Sequence, residues 1–273
     1  SDLFVMRKNA WVICCCTAVL AAFGTFFRWL QDQVCFEAET GLAVRGSIWP
    51  YAVALMIVIA AVVLAVVCFR MKNQPHTSFP DSLPAAFVAV PRVRTIGGVV
   101  LGALLAVGGA WLMISSGTLS SPGLQRVLAA LTIVTGAAFI WQMLSIGDGE
   151  TTSGTVVCAS MPIVLLAFWL IVSYKVNIIN PTVSAYAVEI LALCAALIAF
   201  YELAGFAYGR PKAIRSIFWS QFAAFLCITA LPDDRTGGQQ LMLAAIAGML
   251  LFQSYLTASN IRPAVSGPVG GAQ

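Results

Sequence analysis

Long apolar segments, separated by short polar stretches, make up most of the chain. A bilayer core about 30 Å thick needs about 20 apolar residues per helix. Eight segments meet or approach that length, over residues 10–30, 47–69, 95–115, 127–146, 156–174, 183–208, 213–231 and 239–257, and we number them spans 1 to 8. A segment within lipid must satisfy its own backbone hydrogen-bonding groups, so each span is expected to be helical. The pattern predicts an all-α, polytopic bundle of about eight spanning helices.

Composition supports the membrane class. Of the 273 residues, 60% are apolar and 10% are charged, whereas soluble domains carry about 25% charged residues. This composition excludes a soluble enzyme, a nucleic-acid-binding module and a secreted disulfide scaffold. The net charge of +4 is small and scattered along the chain, so we expect the lipid bilayer, and no nucleic acid, as a partner.

The basic residues between the spans predict the orientation, because cytoplasmic loops carry the excess of lysine and arginine. With both termini in the cytoplasm, the inner side holds Arg7, Lys8, Arg70, Lys72, Arg92, Arg94, Arg210, Lys212, Arg215 and Arg262. The outer side then holds Arg28, Arg45, Arg126, Lys175 and Arg235. We therefore predict a transmembrane domain over residues 1–260, with both termini cytoplasmic, and a flexible cytoplasmic tail over 261–273.

The motifs of common enzymes are missing. The sequence has no H-E-x-x-H, G-x-S-x-G or P-loop pattern, and its single histidine, His76, lies in a proline-rich loop between spans 2 and 3. Seven of the eight cysteines lie inside apolar runs, and only Cys35 lies in a clear loop. We predict no catalytic residues, no metal site, no cofactor and no disulfide framework.

A stripe of small residues follows one face of span 3. Gly98, Gly102, Ala106 and Gly109 recur at helical spacing, and such a groove lets another helix approach closely. Packing within the chain is one interpretation, with Ala244 and Gly248 of span 8 as a facing pair. An interface with a second copy, or with another membrane subunit, through span 3 is the other.

Ionisable residues inside spans are costly in lipid and point to function. Span 6 has two, Glu189 and Glu202, which are thirteen residues apart and project about 140° from each other. Glu189 has Arg28 and Lys175 as candidate ion-pair partners at similar depth. Glu202 has Arg210 and Arg215 near the inner surface. The two carboxylates are either structural ion pairs or parts of a solute or proton path.

Neutral polar side chains add to the inner half of the bundle. Gln142, Gln221 and Gln253 lie in spans 4, 7 and 8, and Tyr201 precedes Glu202. Glutamine side chains join helices through hydrogen bonds, and the same groups could line an inner cavity with Tyr201 and Glu202. Both interpretations stay open at this point.

Two short strings carry a resemblance. The sequence reads FEAETGL at 36–42, after span 1, and FAYGRPK at 206–212, at the end of span 6. With the eight-span layout, these strings resemble those of uncharacterised multipass membrane proteins of anaerobic Gram-positive bacteria. The resemblance implies a bacterial plasma membrane and carries no activity and no site residues.

Since almost the whole chain is predicted to lie in the bilayer, a carrier or channel for a small solute is the leading hypothesis. A membrane-embedded partner subunit or sensor without transport activity is the first alternative, because a bundle can exist to dock other helices. An intramembrane enzyme is the second, and the missing motifs disfavour it. A cavity reaching Glu189 or Glu202 would favour transport.

Overall fold

The computed structural model describes residues 2–35, 47–73, 77–87, 91–119, 121–146, 152–178 and 183–263. Nine α-helices lie within these ranges: α1 (Asp2–Val34), α2 (Trp49–Lys72), α3 (Leu83–Phe87), α4 (Pro91–Ser115), α5 (Pro122–Ser145), α6 (Ser153–Asn177), α7 (Val183–Ala207), α8 (Ala213–Thr229) and α9 (Gly237–Ser259). A 3-10 turn, Ser116–Thr118, follows α4. Two short strands, β1 (Thr77–Ser78) and β2 (Arg262–Pro263), pair antiparallel.

Seven helices in the described part of the chain are long and apolar enough to cross a bilayer. The predicted all-α polytopic bundle is therefore confirmed. The remaining predicted span corresponds to α8, which has only 17 residues and is about 26 Å long at 1.5 Å per residue. It ends at Thr229 rather than residue 231, because Pro232 and two aspartates follow. Helices α1, α2, α7 and α9 surround it.

The two ends of the bundle differ. The start of α1 and the end of α9 lie together, where the rings of Trp11 and Tyr255 are 5.4 Å apart. We call this the terminal end, and the opposite end, where Arg28 of α1 meets Asp233, the distal end. Within the predicted tail, Arg262 and Pro263 pair with β1. The tail residues 264–273, His76, and the string at 36–42 lie outside the described residues.

The orientation can be tested with exposed positions at each end. We expect a Cys introduced at Lys212, at the terminal end, to react with an impermeant maleimide only after the cells are opened. A Cys at Asp234, at the distal end, should react in intact cells; both residues are exposed. The native cysteines are replaced in both variants. Cys35 is unsuitable as a reporter because, contrary to its predicted loop exposure, it is 1% exposed and lies beside Ser47. Labelling of position 212 in intact cells would contradict the predicted topology.

The small-residue groove is filled by α5 of the same chain. A Cβ atom at Gly102 would lie 2.5 Å from Ile140 Cγ1 and 2.7 Å from the carbonyl oxygen of Gly136. Gly98 and Gly109 make similarly close approaches to α5. Gly248 of α9, one of the two expected facing residues, lies against Leu101 instead, which projects about 100° away from Gly102 on α4.

We expect Gly102→Ala to lower the free energy of unfolding by about 1–3 kcal/mol, because the new methyl group overpacks the contact with α5. Gly123→Ala is the matched control, since a Cβ atom there meets nothing within 4 Å and alanine favours the helix. Circular dichroism of both variants during heating in detergent measures the difference. Equal melting temperatures would contradict the close α4–α5 contact.

Helix α3 closes the terminal end of the bundle. We call this five-residue helix, which lies in the proline-rich connection between spans 2 and 3, the α3 plug (Leu83–Phe87). Ala86 and Phe87 are fully buried, and α3 packs against α7 and α9. A helix this short leaves its last carbonyl groups without helical partners. Asn260 Nδ2 donates to Ala86 O at 2.7 Å, and Arg94 Nη1 donates to Phe87 O at 3.4 Å.

Candidate functional site

The short α8 brings Asp233 and Arg235, in the loop over residues 230–236, into the bundle, while Asp234 between them stays exposed. The side chains of Asp233 and Arg235 are each 6% exposed. Arg235 Nη1 donates to Ala230 O at 2.7 Å, which folds the loop back onto the end of α8. Thr236 then caps α9 by accepting from Gln239 N. Charged side chains are thereby fixed at a depth where the other helices surround them.

A network of ion pairs forms around this loop. The carboxylate of Asp233 lies between two guanidinium groups, with 2.6 Å from Oδ1 to Arg28 Nε and 2.8 Å from Oδ2 to Arg235 Nη2. Arg235 Nε also contacts Glu189 Oε2 at 3.2 Å. Asp32 Oδ1 lies 3.9 Å from Arg28 Nη2. Buried charges need such partners, because an isolated charge loses its hydration without compensation.

The partner of Glu189 differs from the sequence-based expectation. Arg28 and Lys175 were the candidates, but Arg28 pairs with Asp233 and Lys175 is exposed at the end of α6. Glu189 pairs with Arg235 instead. Arg235 was not expected as the partner because loop residues ordinarily lie at the surface. Its burial depends on where α8 ends, and the sequence alone does not fix that residue.

These charges line a cavity of about 610 Å³ at the distal end. Helices α1, α5, α6, α7 and α9 and the recessed loop contribute to its wall. Its polar and aromatic lining comprises Arg28, Asp32, Gln33, Gln125, Trp169, Ser173, Asn177, Tyr186, Glu189, Asp233, Asp234, Arg235 and Gln239. We call it the distal cavity. Gln239 Nε2 donates to Gln125 Oε1 at 3.4 Å and so joins α9 to α5 at its edge.

A second, much smaller cavity of about 10 Å³ lies near the terminal end. Gln142 and Gln253 line it together with Pro162 of α6, and the α3 plug closes it through Leu83 and Phe87. Gln253 Oε1 is buried without a hydrogen-bond partner among the described residues. We call this the terminal cavity; its volume is at the lower limit for one water molecule.

The same four helices line both cavities. Along α5, Gln125 belongs to the distal cavity and Gln142 to the terminal one, about 25 Å apart at 1.5 Å per residue. Helices α6, α7 and α9 likewise contribute to each. Between them, along these helices, lie buried apolar side chains that include Phe139, Leu166 and Leu193. A packed apolar layer therefore separates the distal cavity from the terminal cavity.

The other sequence candidates do not meet in one inner cavity. Glu202 is buried and pairs with Arg215 Nη2 at 2.5 Å. Tyr201 is 65% exposed, because its neighbour Glu202 points inward and adjacent helical residues project about 100° apart. Gln221 Nε2 donates to Ser254 Oγ at 2.9 Å and lies near Cys14, so it joins α8 to α9 and α1. Only Gln142 and Gln253 share a cavity, and Arg210 is exposed.

The Glu202–Arg215 pair should respond unequally to its two neutral substitutions. Arg215 is 58% exposed and Glu202 is 5% exposed. We expect Arg215→Gln to be the more destabilising change, because it leaves a buried carboxylate without its cation. Glu202→Gln leaves an arginine that reaches the headgroup region, and Glu202→Gln with Arg215→Gln should recover stability. Melting temperatures of the three variants give the order, and a larger loss for Glu202→Gln would contradict the observed burial.

Comparisons with known proteins leave the site to be interpreted from its own geometry. No protein-family profile matches this chain, and neither the curated proteins nor the solved structures contain a significant match to it. The distal cavity must therefore be judged by its chemistry alone.

Most of the distal cavity was missed by the sequence analysis. Asp233 and Arg235 follow span 7 and read as ordinary loop residues, and Tyr186 and Asn177 lie near span ends. A signal was present: span 7 covers 19 residues and is followed at once by proline, two aspartates and an arginine. A short span followed by such a string indicates charges at membrane depth, where they have functional meaning.

Proposed function

We propose that this integral membrane protein is a carrier for a small polar solute, which enters from the distal end. The observation that supports the proposal is the distal cavity of about 610 Å³ with its charged lining. Sites for small molecules are typically clefts of about 300–1,000 Å³ with a few precisely placed polar groups. Such groups inside a membrane bundle commonly mark the path of a solute or ion.

A carrier fits better than a channel because the path is interrupted. The α3 plug and the apolar layer separate the distal cavity from the terminal end. In alternating access, one end closes while the other opens around a site near the repeat or helix interface. The terminal cavity, with Gln142 and Gln253, is where we place the exit in the opposite state.

Pro162 provides a place for α6 to bend during such a cycle. It lies inside α6 and lines the terminal cavity. Proline has no N–H group, so the carbonyl group of Cys158, four residues earlier, lacks its helical donor. Transmembrane helices often change direction at such positions. A bend at Pro162 would move the terminal half of α6 relative to the α3 plug.

We place the terminal end in the cytoplasm because of the basic residues at that end. The bacterial plasma membrane is what the resemblance of the strings at 36–42 and 206–212 implies. The solute would then enter from outside the cell. The partner-subunit alternative depended on the span 3 groove, and α5 occupies that groove. An exposed docking groove on α4 is therefore not available to support it.

Uptake by proteoliposomes tests the proposal. Purified protein is reconstituted and incubated with radiolabelled small solutes: an amine, an amino acid, a carboxylate and a sugar. We expect at least one to enter faster than into protein-free liposomes and to show saturation. Pro162→Ala should reduce the initial rate several-fold without lowering the melting temperature, since alanine restores the hydrogen bond.

Pro122→Ala is the matched control, because Pro122 is exposed at the first turn of α5, where proline costs the helix nothing. This variant should transport at the wild-type rate. Absence of saturable uptake for every solute class would overturn the carrier proposal. If Pro162→Ala transported at the wild-type rate, bending of α6 at Pro162 would not be part of the carrier mechanism.

A further inference from the structure

We infer that the distal cavity binds a small organic cation, such as a protonated amine or a quaternary ammonium ion. Only one part of the inference rests on the proposed function, namely that this ion is the transported solute. The binding site itself is argued from the charges, the hydrogen bonds and the aromatic side chains of the cavity. Three observations support it, and each concerns a different set of groups.

The first observation is that both arginines already pair with oxygens of the protein. Arg235 uses Nε for Glu189, Nη2 for Asp233 and Nη1 for Ala230 O. Arg28 uses Nε for Asp233 and Nη1 for Gln31, and its Nη2 lies 3.9 Å from Asp32. A guanidinium group recognises an anion by directing its N–H groups at it. Arg235 already directs three of its five N–H groups, and Arg28 at least two, at protein oxygens, so both positive charges are compensated within the protein.

The second observation is that the carboxylates have oxygens to spare. Within the described part of the chain, Glu189 Oε1 and Asp32 Oδ2 have no hydrogen-bond or ion-pair partner, while both residues line the cavity. The three carboxylates of Asp32, Asp233 and Glu189 outnumber the two guanidinium groups, so the network carries one negative charge when all are ionised. Asp234 at the edge adds another. In surroundings of low dielectric constant this excess attracts a cation more strongly than in water.

The third observation concerns size and shape. The cavity is far larger than a bare metal ion, and no group of three or more His, Cys, Asp or Glu side chains among the described residues could hold one. Tyr186, which is partly exposed, lines the same cavity, and so does the edge of Trp169, whose side chain is 1% exposed. Aromatic faces attract organic cations, and tryptophan does so best. Carboxylates for the charge and rings for the alkyl groups together match an organic ammonium ion.

Thermal unfolding of the wild-type protein in nanodiscs tests the inference directly. The probes are choline chloride, 1,4-diaminobutane dihydrochloride, sodium acetate, sodium succinate and glycerol, all at equal ionic strength. We expect one or both organic cations to raise the melting temperature by several degrees in a saturable manner, because a ligand that binds the folded state stabilises it. The anions and glycerol should leave it unchanged.

Asp32→Asn locates the binding. Asp32 lies 3.9 Å from Arg28 and its side chain is 25% exposed, so its neutralisation should disturb the fold less than a change at Asp233. We expect the variant to bind the organic cation about tenfold more weakly or worse. Asp81→Asn removes the same charge from an exposed residue at the terminal end and should bind like the wild type. Isothermal titration gives both constants, and the wild-type comparison stands even if Asp32→Asn fails to fold.

The outcomes separate the two proposals. A melting temperature raised only by acetate, succinate or glycerol, or by no probe, would overturn the organic-cation inference. If an anion or a neutral solute were then taken up by proteoliposomes, the carrier proposal would stand without it. If the organic cation bound but never crossed the membrane, the binding site would stand and the carrier proposal would fail. Equal binding by Asp32→Asn and the wild type would place the cation elsewhere.

Discussion

Arg235→Gln is expected to lower the free energy of unfolding by about 3–5 kcal/mol, because it removes the cation that Asp233 and Glu189 share. Arg235 also donates to Ala230 O, so the loop loses its anchor to α8. Chemical or thermal unfolding in detergent measures the change. Lys175→Gln is the matched control, since Lys175 is an exposed basic residue at the same end of the bundle.

A second substitution identifies the cause of that loss. Arg235→Gln combined with Glu189→Gln should be more stable than Arg235→Gln alone, because one of the two stranded carboxylates is neutralised. If Arg235→Gln were as stable as Lys175→Gln, the network could not be buried in the bundle as described.

Phe87→Ala is expected to loosen the α3 plug. Phe87 is fully buried, and truncation of a buried phenylalanine costs about 3–5 kcal/mol. Since Phe87 also lines the terminal cavity, the change should let water reach Gln142. The assay uses a variant without native cysteines that carries a Cys at position 142. After Phe87→Ala this Cys should react with a water-soluble maleimide about tenfold faster. That factor corresponds to a free energy of opening that is lower by about 1.4 kcal/mol.

Phe23→Ala is the control for this experiment, because Phe23 is 55% exposed on α1 and does not line either cavity. It should leave both the stability and the reactivity at position 142 nearly unchanged. Equal reactivity in the Phe87→Ala and Phe23→Ala variants would show that α3 does not control access to the terminal cavity.

The sequence was sufficient for the membrane class because lipid imposes a length and a polarity on each helix, and both can be counted. It also located the close-packed face of α4, since Gly102 and its neighbours recur at helical spacing. The partner of that face could not be predicted, because small-residue stripes are alike on many helices. Gly136 of α5, which meets Gly102, shares its helix face with Ala129 and Thr132, which meet Gly109.

The site was harder to predict for a related reason. The pairing of Glu189 with Arg235 depends on the depth of a loop, and that depth depends on the length of α8 and on the helices around it. The α3 plug has five residues, which is too short for helical periodicity to be read. Tyr201 points away from the bundle while Glu202 points into it. The composition of a span could not reveal this, because composition does not define how the helix is rotated about its axis.

The distance along the chain between Arg28 and its partner has a consequence for biosynthesis. The two residues, Arg28 and Asp233, are separated by 205 positions, which a ribosome translates in about 10–40 s at about 5–20 residues per second. During that interval α1 exists without Asp233. Gln31 and Asp32, one turn further along α1, contact the same guanidinium group in the finished protein. They are therefore the partners that α1 itself supplies to Arg28 while the rest of the bundle is still being made.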